Sequence, residues 1–529
     1  MLMIRCLYFL WLFILFRGRL RSIPRTMSTQ HPDNARVPGW AAGEVIEGEA
    51  EVEEAYRAFS VLGIQEVMWD AEGKDVDTHV VRKLLSRYPD FFEERVLGRD
   101  VFITYRIPNP RVEGAERKVF SETMESIAVS CDVAQRFYGD DVSPIFEVIL
   151  PLTTSYHELI SVLRYYEKVI IGRGDIELLE GVRVRDLIGD ACPKSIEVIP
   201  LVEDMESLLG IGRIAAGFWR VVKPPYMRVF IARSDPAMNY GMFSAVLLAK
   251  YALSELSKLS REIETPIYPI IGVGSLPFRG HMSPENYVNV IEEYRGVYTF
   301  TIQSAFKYDY PEEMVVGAVK AINNSKPGEA YELDHWEARS LEKIVRKYTA
   351  RYQTIIEAMA GAINTVANYI PRRRARKLHI GLFGYAREAG RVRLPRAITF
   401  CGAMYTMGIP PELLGISALE ELREEEWDLV EKVYRNLGRD LGAAAKYYNP
   451  EALELITKIF GVDRSIAREI QRDIEFLEKQ LGIRVGGNSY SERKHSYFST
   501  LFLLAHREGR VEEAKTHVLE MALIRRSIG

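Results

Sequence analysis

Two acidic side chains, Glu203 and Asp235, follow the short apolar runs IEVIPLV and YMRVFIARS at the same relative place. Carboxylates so placed suit magnesium, which often takes only one or two protein carboxylates and completes its shell with water and substrate phosphate oxygens. The same residue types also cap the helices that follow such strands. Basic residues repeat the arrangement, with Arg106, Arg233, Arg279, Lys307 and Arg396 all at or just past predicted strands. Each alone reads as a surface or ion-pair residue, but several in register would line a positively charged mouth for an anion. Residues 270–281 (IIGVGSLPFRGH) deliver Arg279, whose planar fork of donors matches phosphate or carboxylate, through a glycine-broken turn. His31 and His281 are the acid–base candidates, because imidazole titrates near neutral pH. Residues 381–396 (GLFGYAREAGRVRLPR) add a basic, glycine-bearing loop of the kind that closes over anionic substrates.

These positions presuppose strands that end together. Short β-branched or aromatic runs at 65–70, 101–110, 145–151, 196–201, 226–232, 263–273, 298–303 and 378–383 alternate with helical spacing. Strands joined through helices pair in parallel, and at this length that pattern predicts an α/β fold, a TIM-type (β/α)8 barrel elaborated with many additional α-helices. The barrel is expected over about 60–410, with a mostly helical part over about 411–529 packed on it as one unit. The polar stretch from Met27 (MSTQHPDNARVP) reads as a loop that carries His31. The acidic stretch with Asp70, Glu72, Asp75 and Asp77 lacks the register of a calcium loop and reads as a solvated turn.

With 27% charged residues and a net charge of −4, the chain has no basic excess of the kind that nucleic-acid binding requires. Its four cysteines are far apart and form no CxxC, which disfavours a zinc site or a disulfide framework and suits a reducing cytoplasm. Residues 7–16 (LYFLWLFILF) precede Arg17, Arg19 and Arg21, but a bilayer helix needs roughly 20 apolar residues. A signal-like anchor, a disordered extension and a mis-assigned start compete for residues 1–26; Met27 as initiator, with no membrane attachment, is the reading adopted.

Taken together, STQHPDN, PLVED, ARSDPAMNYG, GSLPFRGH and LPRAITF resemble phosphoenolpyruvate carboxylase of the short archaeal type, over Met27 to Gly529. His31, Glu203, Asp235, Arg279 and Arg396 fall on that family's motifs in chain order, and Arg106 in YRIPNP resembles the arginine ahead of the glutamate motif. The resemblance adds Gln303, in FTIQSAFKYD, and Arg387, in what looks like a mobile glycine-rich loop. It implies carboxylation of phosphoenolpyruvate by bicarbonate, magnesium (or manganese) on Glu203 and Asp235, His31 as base, and a homotetramer. The sequence departs from the family at Met238, where a lysine is expected and whose charge Lys307 or Arg233 would supply, and in the FRGH order, which leaves Arg279 and His281 to share roles. A pyruvate-kinase-like or citrate-lyase-like barrel would need a nucleotide or coenzyme A site, and no Walker motif is present. A purely helical scaffold leaves the charged strand ends unexplained.

Overall fold

The computed structural model describes residues 22–72, 77–112, 117–375, 392–529 and, for the backbone alone, 387–389. Eight parallel strands close a barrel: β1 (Thr26–Ser28), β2 (Glu66–Asp70), β3 (Phe102–Arg106), β4 (Glu147–Leu150), β5 (Glu197–Val202), β6 (Met227–Ala232), β7 (Ile267–Gly272) and β8 (Thr299–Ile302). Neighbours follow chain order, and β1 pairs with both β2 and β8, so Met27 sits opposite Glu66 on one side and Thr301 on the other. The expected barrel is therefore present, with one change of membership. The polar stretch around Met27 contributes its first strand instead of a loop, while 378–383, expected as a strand, lies outside the described residues.

A strand's side chains alternate between faces, so one set of residues two apart points into the barrel. On β2 these are Glu66, Met68 and Asp70; on β6, Arg228, Phe230 and Ala232. The middle positions join Met27, Ile149, Ile199, Leu201 and Ile270 in an apolar plug inside the barrel. Below the plug, at the amino ends of the strands, the filling is ionic. The Arg228 guanidinium donates to Glu66 at 2.9 and 2.7 Å and to Glu147 at 2.7 Å, and Tyr226 closes on Glu147 at 2.9 Å. The outward set, with Val67, Trp69, Ile103, Tyr105, Val229 and Ile231, belongs to the larger core beneath the helices.

The residues just ahead of Met27 are part of the wall. The Arg25 backbone N–H donates to Gln65 at 2.7 Å, its guanidinium reaches Ser325 at 2.8 Å, and Thr26 Oγ1 bonds Asn323 at 2.7 Å. A chain begun at Met27 would lack these bonds.

Two further expectations are corrected. Cys131, on the helix Arg117–Tyr138, and Cys192, ahead of β5, are bonded as a disulfide with Cα atoms 5.8 Å apart across a separation of 61 residues. Distance along the chain said nothing about this contact, because the β4–β5 connection folds back over that helix. Of the acidic stretch, Asp70 and Glu72 are buried rather than solvated, and Asp75 lies outside the described residues. The long helix His335–Ala367 begins in a capping box, Asp334 accepting from the Glu337 N–H at 2.9 Å and Glu337 from the Asp334 N–H at 2.9 Å. Among the described residues no helix is long and apolar enough to cross a membrane.

Candidate active site

Most of the residues singled out from sequence lie at or just past the carboxyl ends of the strands, and Asp70, Arg106 and Glu203 continue the inward parity past the apolar plug. Asp70 and Arg106 close β2 and β3. The Arg106 guanidinium meets Asp70 through Nε at 2.9 Å and Nη2 at 2.6 Å, and Nη1 lies 3.2 Å from Glu72. Burial acts to lower its pKa, but Asp70 and Glu72 outweigh it and hold the guanidinium charged. Each nitrogen of its fork thus has a protein partner.

Arg279 is likewise filled. It lies in a short 3-10 turn after β7, is 1% exposed, and donates through Nε to Ser234 at 3.1 Å, through Nη1 to Asp33 at 3.0 Å and a main-chain oxygen of Gly529 at 2.8 Å, and through Nη2 to Gln303. Two residues expected to face substrate, Arg279 and Gln303, therefore face each other. Asp33, two residues past His31, is fully buried and also accepts the Ala305 N–H at 2.7 Å. Gly274 must be glycine here, because a Cβ would come within 2.9 Å of the Arg279 guanidinium carbon and 3.0 Å of Gln303 Oε1.

The Lys307 ammonium bonds Ser28 at 3.0 Å, the Thr29 carbonyl at 3.2 Å and Glu54 at 3.0 Å. Burial lowers its pKa against the pull of Glu54. His31 sits just past β1, half-buried, with Nδ1 at 2.9 Å from Thr29 Oγ1. Arg396 is half-buried at the start of the helix Ala397–Thr406. The backbone of Arg387 pairs with Leu394, and its side chain lies outside what is described, as does most of the loop at 381–396.

Arg233 differs from all of these. Just past the end of β6 it is 1% exposed, donates through Nε to the Tyr294 hydroxyl at 2.9 Å, and leaves Nη1 buried with no hydrogen-bond partner among the described residues. A buried charged donor without a partner is costly.

A sequence model of the phosphoenolpyruvate carboxylase family matches residues 23–529. The chain belongs to that family. It is 58% identical to the phosphoenolpyruvate carboxylase of Metallosphaera sedula over 510 residues, covering 96% of this chain and all of the relative. It is 50% identical to those of Picrophilus torridus and Caldivirga maquilingensis, over 96% of this chain and 99% and 100% of theirs.

Within this carboxylase fold, Glu203 and Asp235 follow adjacent strands, since Val202 pairs with Ile231. Glu203 accepts the Leu152 N–H at 2.8 Å, and Leu152 adopts a left-handed φ of 53° to present it. Among the described residues no group of three or more His, Cys, Asp or Glu side chains forms a metal cage. Magnesium commonly takes only one or two protein carboxylates and fills its shell with water and substrate oxygens, so a pair does not need such a cage. Met238, where the resemblance led to an expected lysine, is fully buried and belongs to the main core cluster, so no ammonium could sit there without a partner. Sequence reasoning missed Asp33, Asp70, Glu72 and Tyr294 as partners of these arginines. Parity was the available signal for Asp70, which continues the inward series Glu66, Met68.

Proposed function

We propose that this chain carboxylates phosphoenolpyruvate with bicarbonate to oxaloacetate and phosphate, an irreversible carbon–carbon lyase reaction. The observation that carries the reading is the unfilled, buried Arg233 Nη1 at a mouth where Glu203 and Asp235 end adjacent strands. In outline, a bicarbonate oxygen attacks phosphorus, the enol oxygen leaves as the pyruvate enolate, and carboxyphosphate forms. Carboxyphosphate loses its carboxyl proton and splits into carbon dioxide and phosphate, and the enolate carbon takes up the carbon dioxide.

Arg233 would grip the transferred phosphoryl group directly and stand in for the lysine missing at 238. Arg106 and Arg279, their donors already engaged, would contribute positive potential and hold the mouth in shape. Arg396 and Arg387 would complete the anion clamp, and His31 would take the carboxyl proton of carboxyphosphate. Glu203 and Asp235 would hold magnesium, or manganese; once bound, the ion supplies Lewis-acid polarisation of substrate oxygens. We place the enzyme in the cytoplasm as a homotetramer. Five apolar side chains between 176 and 188 (Ile176, Leu178, Leu179, Leu187, Ile188) are exposed, and a second copy would cover them. Sedimentation velocity should show Leu187→Asp shifting the assembly to smaller species.

The defining experiment follows oxaloacetate from phosphoenolpyruvate, bicarbonate and divalent metal, each omitted in turn. Product formed without bicarbonate, or none in the complete mixture, would refute the reading. His31→Asn should still release phosphate when bicarbonate is present but yield pyruvate in place of oxaloacetate. Equal loss of both products would remove His31 from the role of base.

A further inference from the structure

His281 stands at the same mouth, in the turn after β7, with a left-handed φ of 61° that is strained for any residue bearing a Cβ. The turn imposes that conformation. The His281 N–H donates to the Leu276 carbonyl at 3.0 Å, the Met282 N–H to Gly274 at 2.7 Å, and Asn286 Nδ2 holds the His281 carbonyl at 2.9 Å. The ring is directed at Asp440, on the helix Leu437–Ala445, with Nδ1 at 2.6 Å from Oδ1. The other carboxylate oxygen, Oδ2, accepts the Tyr434 hydroxyl at 2.8 Å. The start of that helix is tied to the β7–β8 connection, the Asn436 N–H donating to Glu293 at 2.7 Å and its amide to the Asn289 carbonyl at 2.9 Å. Asp440 is therefore held from two sides and aimed at the imidazole.

A carboxylate only accepts, so the neutral ring carries its proton on Nδ1 and presents a lone pair at Nε2. Nε2 makes no hydrogen bond among the described residues and is not buried; the side chain is 18% exposed. An acceptor at the mouth of an anion site is unusual, since the ionised phosphate and carboxylate of phosphoenolpyruvate offer it no hydrogen. Bicarbonate does, through its hydroxyl.

We propose that Asp440 and Tyr434 are positioning residues that fix the tautomer of His281, and that His281 Nε2 accepts the bicarbonate hydroxyl. The inference rests on the carboxylase reading above. The bond orients bicarbonate with its hydroxyl toward the protein and an ionised oxygen toward phosphorus. No proton is transferred at this stage, and the hydroxyl hydrogen remains on what becomes the carboxyl of carboxyphosphate.

The test uses the full chain and varies the two substrates separately in carbon-dioxide-depleted buffer. In Asp440→Asn the Tyr434 hydroxyl donates to the amide oxygen, so the amide NH2 faces Nδ1 and drives the imidazole proton to Nε2, turning the acceptor into a donor. KM for bicarbonate should rise about 10- to 100-fold, the scale of one hydrogen bond to a charged group, while KM for phosphoenolpyruvate stays within about twofold. His281→Leu should show the same split, and the double variant should be no worse than either single one, because Asp440 acts through His281. Unchanged KM values, equal rises for both substrates, or a rise for phosphoenolpyruvate alone would overturn the assignment. Should Asp440→Asn fail to fold, His281→Leu decides by the same criterion. Failure of the carboxylase reading itself would show in the unaltered protein, which would make no oxaloacetate.

Discussion

Arg279 and Arg233 are both 1% exposed and both border the proposed phosphoryl site, yet replacing them should have opposite effects on stability. In Arg279→Met, the Asp33 carboxylate, fully buried and 3.0 Å from Nη1, loses its cation while Gln303 and Ser234 lose their donor. Breaking a buried ion pair from one side costs about 3–5 kcal/mol. Unfolding entropy near 2.1 cal/mol/K per residue gives roughly 1.1 kcal/mol/K for 529 residues, so Tm should fall by about 3–5 °C. Arg233→Met instead removes a charge that, among the described residues, is hydrogen-bonded to Tyr294 and has no partner at Nη1. The desolvation relieved, about 1–3 kcal/mol for the unsatisfied donor, offsets the lost bond, and Tm should hold or rise. Calorimetry of both variants beside initial rates makes the comparison. Both should lose activity, Arg233→Met by about 100- to 1000-fold if it removes one transition-state donor. A Tm drop in Arg233→Met as large as that in Arg279→Met would show that its fork is filled in the folded protein and refute the reasoning.

Three other outcomes are expected. Glu203→Gln and Asp235→Asn should raise the half-saturating metal concentration by roughly 10- to 100-fold with the fold intact; an unchanged metal titration in both would remove them as ligands. Replacing Cys131 and Cys192 together by serine opens a loop of 61 residues and should cost about 4 kcal/mol on the chain-entropy scale, with kcat preserved, as denaturant melts of the reduced and oxidised protein would also report. Burial pushes Glu412 up to about 7, against bonds from Tyr405 at 2.7 Å and the Phe278 N–H at 2.9 Å. The folded state thus keeps a proton that the unfolded chain releases near 4.5, stability falls as pH rises between those values by about 3 kcal/mol, and Glu412→Gln should flatten that slope.

Seven barrel strands were legible because strands buried on both faces write themselves as short β-branched runs. The eighth, Thr26–Ser28, was not, because three residues reading TMS carry no periodicity and become a strand only when β2 and β8 close on them. The charged strand ends were legible as a set, but their division of labour was not. Whether an arginine is a clamp or a strut depends on what faces it across the barrel, and Asp33 meets Arg279 from 246 residues away. The same holds for Asp440, which is 159 residues from His281 and on a helix whose apolar spacing declares only its buried face.

The ionic floor of the barrel, where Arg228 bridges Glu66 and Glu147 below the apolar plug, sets a thermal preference. Hydrocarbon in that place would bring a stabilisation that plateaus on heating, whereas the penalty for stripping water from charges shrinks as temperature climbs. Relative to a barrel with an oily floor of the same shape, this one loses ground in the cold and gains it in the heat. The crossover is open to measurement by replacing Arg228, Glu66 and Glu147 together with Met, Leu and Leu and following both stability curves from ice-bath to near-boiling conditions.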